Sequence, residues 1–269
     1  MLTEFFDQRE LICPKCRRPG KDTIVQFPLK SARMIRSEGD FIIEGFLECT
    51  NDTCLETFAI VEGVPIVVKN FKEWRRAQKS RFFNMTFRSA EMESYFKSLE
   101  ETDHRNFNEK RRLSTYIEFH YSIPSDAPVF MAEQADPRPY WDIVTAAGRP
   151  GDGNQYARSL DLGCSVGRYT FALARFSETA IGMDLDFSAV SYAAGLQRNN
   201  HGSFERRLHG RCFKTTEVSF EFPQNVFFLV ADALDPPFRA GFFDMVAGLN
   251  LLDNVKLPLV LLGQMDALL

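Results

Sequence analysis

One short stretch near the middle of the chain constrains the fold more than any other: Ser159-Leu-Asp161-Leu-Gly163-Cys-Ser165-Val-Gly167-Arg-Tyr-Thr170. An apolar run leads into it, a turn of small residues follows, and a helix-like segment leads out. Glycines at such a turn let the backbone approach a ligand closely, and the following helix presents unpaired N–H groups at its first turn. From about residue 159 onward, short apolar runs (SLDLG, TAIGMD, NVFFLVAD, FDMVAGLN) alternate with helical segments. That alternation predicts a parallel α/β sheet covered on both faces. Acids recur where its strands should end: Asp161 on the first, Asp184 on the second, Asp232 on the third. A single aspartate at such a place is commonly a helix cap or a solvated strand end. Three in succession, along the carboxyl edge where open α/β sheets take their ligands, point to a binding site.

Asp184 lies 21 positions after Gly163, the separation at which an acid at the second strand tip accepts from ribose hydroxyls. A nicotinamide dinucleotide is the first alternative. It calls for a third glycine where Arg168 stands, and its pyrophosphate would be repelled by Asp161. A cofactor bearing an ammonium and a sulfonium suits an extra carboxylate better. In order and in spacing the series DLGCSVGR, GMDLD, ADALDPPF and FDMVAGLNLLDNV resembles the motif ladder of class I S-adenosylmethionine (SAM)-dependent methyltransferases, over about residues 159 to 269. The resemblance implies a Rossmann-like sheet and SAM as cofactor. It also implies roles: Asp161 and the loop Gly163, Ser165, Gly167 facing the methionine part, and Asp184 on the ribose. Asp232 and the Ala233 N–H would meet the adenine, with Asn250 on the methionine or acceptor side. Cys164 reads as a small packing residue. Methyl transfer from a sulfonium needs alignment more than covalent help, so the absence of a visible catalytic triad is no objection.

The N-terminal third has a different texture. Of six cysteines, Cys13 and Cys16 form a CxxC pair, Cys49 and Cys54 a second pair, and Cys164 and Cys212 stand alone. Two short cysteine turns bracketing β-like runs (FIIEGFLEC, ETFAIVEGVPIVV) can supply four thiolates to one zinc ion. Free thiols or a thioredoxin-like redox CxxC are the alternatives, and neither accounts for the second pair. An all-cysteine set leaves no open coordination position, which makes such a site structural. LICPKC, LECTNDTC and FAIVEGVPIVV resemble the small zinc-ribbon protein that activates several tRNA, rRNA and protein methyltransferases. The departures are Ala59 for a proline, Glu62 for an aspartate, and the four-residue gap between Cys49 and Cys54.

These textures divide the chain into a zinc ribbon (1–69), a charged and aromatic helical lid region (70–150) and the SAM-binding part (151–269). The proline-rich segment 122–139 reads as a loop. Tyr116-Ile-Glu-Phe-His120-Tyr121 falls where a lid helix would cover the cofactor. The stretch from about 199 to 225 holds Arg206, Arg207, His209, Arg211 and Lys214, read as a solvated loop or a basic pocket. DLGCSVGRYTFALAR and GLNLLDNV also resemble 4-mercaptohistidine N-methyltransferases, which would imply a small amino-acid acceptor. The sheet is expected to be incomplete at its C-terminal side, stopping after the fourth strand and a helix. An inactive SAM-binding or ribbon-based interaction protein, or a fragment of a longer methyltransferase, is therefore the second expectation.

The net charge of −4 gives no general attraction to nucleic acid, which stays possible without being indicated. The start MLTEFFDQRE is no secretory signal, and no apolar run is long enough to span a bilayer. The expectation is a cytoplasmic enzyme acting on a small molecule or RNA.

Overall fold

The computed structural model describes residues 11–19, 24–71, 73–74, 89–97, 107–121, 138–151, 153–209 and 212–269. The proline-rich segment 122–137 lies outside them. Four strands of the C-terminal half, β7 (Tyr156–Leu162), β8 (Ser177–Asp184), β11 (Val226–Val230) and β12 (Met245–Ala247), pair in parallel in the order β11-β8-β7-β12. The run Val-Phe-Phe-Leu-Val of β11 is buried at every position, as expected of a strand covered on both faces. Helix α4 (Arg168–Leu173) follows β7, and α5 (Phe187–Asn199) follows β8. The Asp186 side chain caps α5 by accepting from the Ser188 and Ala189 N–H groups, and Asn200 ends the helix in the left-handed region. Helix α6 (Pro258–Leu268) follows β12.

The expected loop between α5 and β11 is instead an antiparallel hairpin, β9 (His201–His209) with β10 (Cys212–Ser219). Arg206 faces inward and is 5% exposed. Its Nε donates to Glu118 Oε1 at 2.8 Å. The side chains of Arg207, His209 and Arg211 lie outside the described residues.

The cysteine-bearing part holds a two-residue ribbon, β1 (Arg18–Pro19) with β2 (Ile24–Val25). Beyond it lies an antiparallel sheet of β3 (Leu29–Glu38), β4 (Phe41–Cys49), β5 (Thr57–Val61) and β6 (Val64–Pro65). The two four-stranded sheets adjoin. Ile66, just past β6, bridges Val230 of β11 in parallel, and Val67 N–H donates to the Val230 carbonyl at 2.8 Å. Side-chain alternation then runs straight across the seam. Ala59 and Val61 share one core with Phe228 and Val230, while Phe58 and Ile60 share the other with Phe227 and Leu229. The ribbon thereby covers what would be an open edge of the parallel sheet.

Helices α1 (Ala90–Lys97), α2 (Phe107–Tyr121) and α3 (Arg138–Ala147) come from the middle region. Trp141 Nε1 donates to the Phe119 carbonyl at 3.2 Å, fastening α3 to α2. The Tyr121 hydroxyl, fully buried, donates to the Val166 carbonyl at 2.7 Å and fastens α2 to the turn before α4. No helix among the described residues is long and apolar enough to cross a membrane.

Candidate functional site

The turn from β7 to α4 adopts a conformation most residues avoid. Gly163 has φ of 75°, Ser165 of 50° and Gly167 of 82°, so the left-handed region is visited three times in five positions. At Gly167 a Cβ would also meet Phe228 Cζ at 2.8 Å and the Ala193 Cβ at 2.9 Å, which ties this glycine to helix–sheet packing. Asp184 holds the turn from the next strand. Its Oδ2 accepts from Ser165 N–H at 3.0 Å and its Oδ1 from Asp186 N–H at 2.8 Å.

Asp161, one strand over, is 2% exposed and accepts from the Thr170 hydroxyl at 2.7 Å. Burial pushes its carboxyl up to about 7, against a stabilising hydrogen bond from Thr170 and with the nearby Asp184 charge adding to the rise. Among the described residues no cation contributes to that shift, and a nearby positive charge would favour the ionised form. Gly182 on β8 leaves the space that Thr170 and Phe228 fill, since a Cβ there would meet Thr170 Oγ1 at 2.7 Å.

Asp161, Gly163, Ser165, Asp184 and Asn250 open onto one cavity of about 450 Å³. Asn250 has φ of 50° and its carbonyl accepts from Asn254 Nδ2 at 2.7 Å. Sequence reasoning missed Arg112 of α2, Tyr140 and Trp141 of α3 and Tyr169 of α4 on the opposite wall, whereas Tyr116 and Phe119 fall in the stretch read as a lid helix. His120 lines the cavity, whereas Tyr121 is buried in the core beneath it. Cys164, read as a packing residue, is 3% exposed yet also borders the cavity. Burial lifts its thiol well above the usual range, with the Asp184 and Asp161 charges adding to the rise, which argues against a nucleophilic role.

Asp232 lies elsewhere, on a neighbouring cavity of about 530 Å³ bordered by Leu185, Trp74, Lys69 and Arg17. Leu185, which borders this cavity, stands in sequence between Asp184 and Asp186, which border the first. The Asp232 Oδ1 accepts from Leu234 N–H at 2.9 Å, a turn contact within its own loop. Ala233 is buried in the core. Trp74 closes the second cavity by donating from Nε1 to the Leu185 carbonyl at 3.0 Å, and Arg17 pairs with Asp235 at 3.4 Å.

Cys13, Cys16, Cys49 and Cys54 come together with all four sulfurs within 4.8 Å of one another, and the Cys16 and Cys49 sulfurs stand 3.7 Å apart. The edge of a tetrahedron with metal–sulfur bonds of about 2.3 Å is about 3.8 Å. A disulfide needs about 2.05 Å, and all four cysteines are free thiols. Burial pushes the Cys49 thiol up to about 11 and that of Cys13 higher still.

A parallel sheet in this order, with acids at the carboxyl ends of its first two strands and a left-handed turn between strand and helix, is a Rossmann-like arrangement. Residues 160–269 match a family model described as a methyltransferase domain. No curated protein matches the chain. Among solved structures it is similar to the YcgJ protein of Bacillus subtilis, at 16% identity and a TM-score of 0.38, covering 49% of this chain and 46% of that one. It is also similar to magnesium protoporphyrin IX methyltransferase of Synechocystis PCC 6803, solved with bound S-adenosylhomocysteine. There the identity is 15% and the TM-score 0.36, over 72% of this chain and 67% of that one. The MccD protein gives 22% identity and a TM-score of 0.35, over 48% of each chain. The chain thus spans about half the length of several of the structures it matches.

Proposed function

We propose that the protein binds SAM across the β7 and β8 strand ends and transfers its methyl group to an acceptor held under α2 and α3. The observation that carries this reading is the Asp161 carboxyl, 2% exposed and with no cation recorded beside it among the described residues, next to the Asp184-fastened turn. A cofactor with an ammonium group supplies the missing charge, whereas a pyrophosphate would add to the repulsion.

In this reading Asp161 receives the ammonium, and the N–H groups of the Gly163–Gly167 turn cradle the methionine part. Asp184, at the tip of β8, accepts from the ribose hydroxyls. Asn250 closes the methionine side. Asp232, with the Ala233 N–H, serves the adenine end where the second cavity adjoins Leu185. When bound, SAM supplies a methyl already activated by its sulfonium, so the protein's task is alignment and exclusion of water. Tyr121 and Trp141 contribute by locking α2 and α3 over the turn.

For the four cysteines we propose a structural zinc ion, supported by a sulfur spacing that fits a tetrahedral thiolate site. The ribbon that carries them resembles the methyltransferase-activator ribbon, here fused in cis and seated on β11. Cysteines used as metal ligands suit a reducing, cytoplasmic setting, where thiols are kept from disulfides. Calorimetric titration with SAM, S-adenosylhomocysteine and NAD tests the cofactor reading. Micromolar binding of the sulfonium or thioether ligand is expected, weakened at least about 30-fold in Asp184→Ala, where two or more hydrogen bonds to a charged group are lost. Tighter binding of NAD would overturn it.

A further inference from the structure

The acceptor side of the larger cavity is walled by rings. Tyr116, Phe119 and His120 come from α2, and Tyr140 and Trp141 from α3. The rings pack on one another, with centroids 4.7 Å apart for His120 and Trp141, 5.1 Å for Tyr140 and Trp141, and 5.7 Å for Phe119 and Trp141. Two are left open: Tyr116 is 44% and Phe119 42% exposed. Large aromatics that border a cavity and stay this open are surface awaiting cover. Burial holds the His120 imidazole down to about 3, with the Arg168 charge lowering it further, so this ring adds a neutral face to the wall.

The charges point the same way. Asp161, Asp184 and Asp186 border the cavity, and among the described lining residues the cation is Arg112. Arg112 is engaged by Asp186 and lies over the Tyr116 ring, 5.5 Å from its centroid. A phosphate or carboxylate in this space would meet aromatic faces, which are negative, and acids. A cation meets both favourably.

We propose that the methyl acceptor is a small organic amine whose nitrogen is received by this aromatic wall. The proposal rests on the cofactor reading above. In the transfer, the lone pair of the free amine forms a bond to the methyl carbon. The carbon–sulfur bond breaks and its electron pair returns to sulfur. Positive charge thus moves from sulfur to nitrogen, and the methylated ammonium afterwards releases a proton to water. Ring faces around the nitrogen stabilise the charge as it arrives, so they act more strongly in the transition state than on the neutral amine. An oxyanion acceptor would lose charge in the same step and gain nothing from the wall.

Two measurements test this on the full chain, the first with S-adenosylhomocysteine bound and the second with SAM. The first follows Trp fluorescence during titration with choline and with its neutral isostere 3,3-dimethylbutan-1-ol. Choline should bind at least about fivefold more tightly, and Tyr116→Leu or Phe119→Leu should each reduce that preference about two- to fivefold. Both positions are open to solvent, so unchanged S-adenosylhomocysteine affinity and circular dichroism will show that fold and cofactor site are intact. The second measures transfer of labelled methyl from SAM to panels of primary amines, catechols, phosphate monoesters and bulk tRNA. Label in the amines supports the proposal. Equal binding of the two probes, or label in catechols, phosphates or tRNA, overturns it while leaving the cofactor reading standing. Failure to bind S-adenosylhomocysteine at all would instead strike the cofactor reading.

Discussion

At the scale of single residues, Asp161 carries the sharpest consequence. Its folded-state value of about 7 lies above the ordinary 3.8. Between those two values the folded chain holds more protons than the unfolded chain at this site. Stability from this group therefore falls as pH rises from about 4 to about 7 and is level above, by an amount on the order of a few kcal/mol. Thermal unfolding of the ligand-free protein should show that slope, and Asp161→Asn should flatten it. A cationic ligand favours the ionised carboxylate, so S-adenosylhomocysteine should bind more tightly as pH rises from 6 to 7 in the parent and not in the variant. Equal slopes in both proteins would remove Asp161 from the site. The residue was legible in the sequence because acids at successive strand ends follow the geometry of parallel sheets. Its environment was not. Burial by Thr170, Tyr121 and the lid helices is a tertiary fact with no local pattern, and neither was the aromatic wall, whose rings come from separate helices and read as ordinary packing positions.

At the scale of elements, the seam between ribbon and β11 is the feature that strand patterns alone could not give. The alternation of β5 and the apolar run of β11 announce strands but not which edges meet. The pairing of Ile66 with Val230 is fixed by chain path and by the two shared cores. If zinc holds the cysteine turns, the metal supports this seam at a distance. Apparent metal-binding energies of about 10–16 kcal/mol in small zinc modules are folding energies for the elements they tie. Chelation by a strong zinc ligand should release about one metal per chain (four thiolates to one ion), read by elemental analysis. Amide exchange should then quicken across Thr57–Val61 and Val226–Val230, while Tyr156–Leu162 in the middle of the parallel sheet stays protected. Cys16→Ser should reproduce the effect. Unchanged protection of β11 after metal loss would mean the ribbon holds the seam without the ion.

At the scale of the whole molecule, the hairpin between α5 and β11 links the sheet to the helices above it. A run rich in arginine invites the reading of a substrate-facing basic pocket, but Arg206 is spent inward on Glu118 of α2, with 7% and 20% of the two side chains exposed. The pair makes the hairpin a strut for the helix that carries Arg112, Tyr116, Phe119 and His120. Removing one partner of a buried pair leaves an uncompensated charge and typically costs about 3–5 kcal/mol. For a protein of this size each kcal/mol is worth roughly 2–4 °C in the melting temperature. Arg206→Met should therefore lower the melting temperature by roughly 6–20 °C, and Glu118→Gln by less, because its amide oxygen can still accept from the guanidinium. The double variant Arg206→Met/Glu118→Leu should recover much of the loss, since an apolar pair of similar volume replaces the charges. In the single variant α2 loses its brace, so amine-probe binding should weaken together with stability. A surface arginine reserved for an acidic substrate would behave oppositely: binding would fall, the melting temperature would not move, and the double variant would rescue nothing.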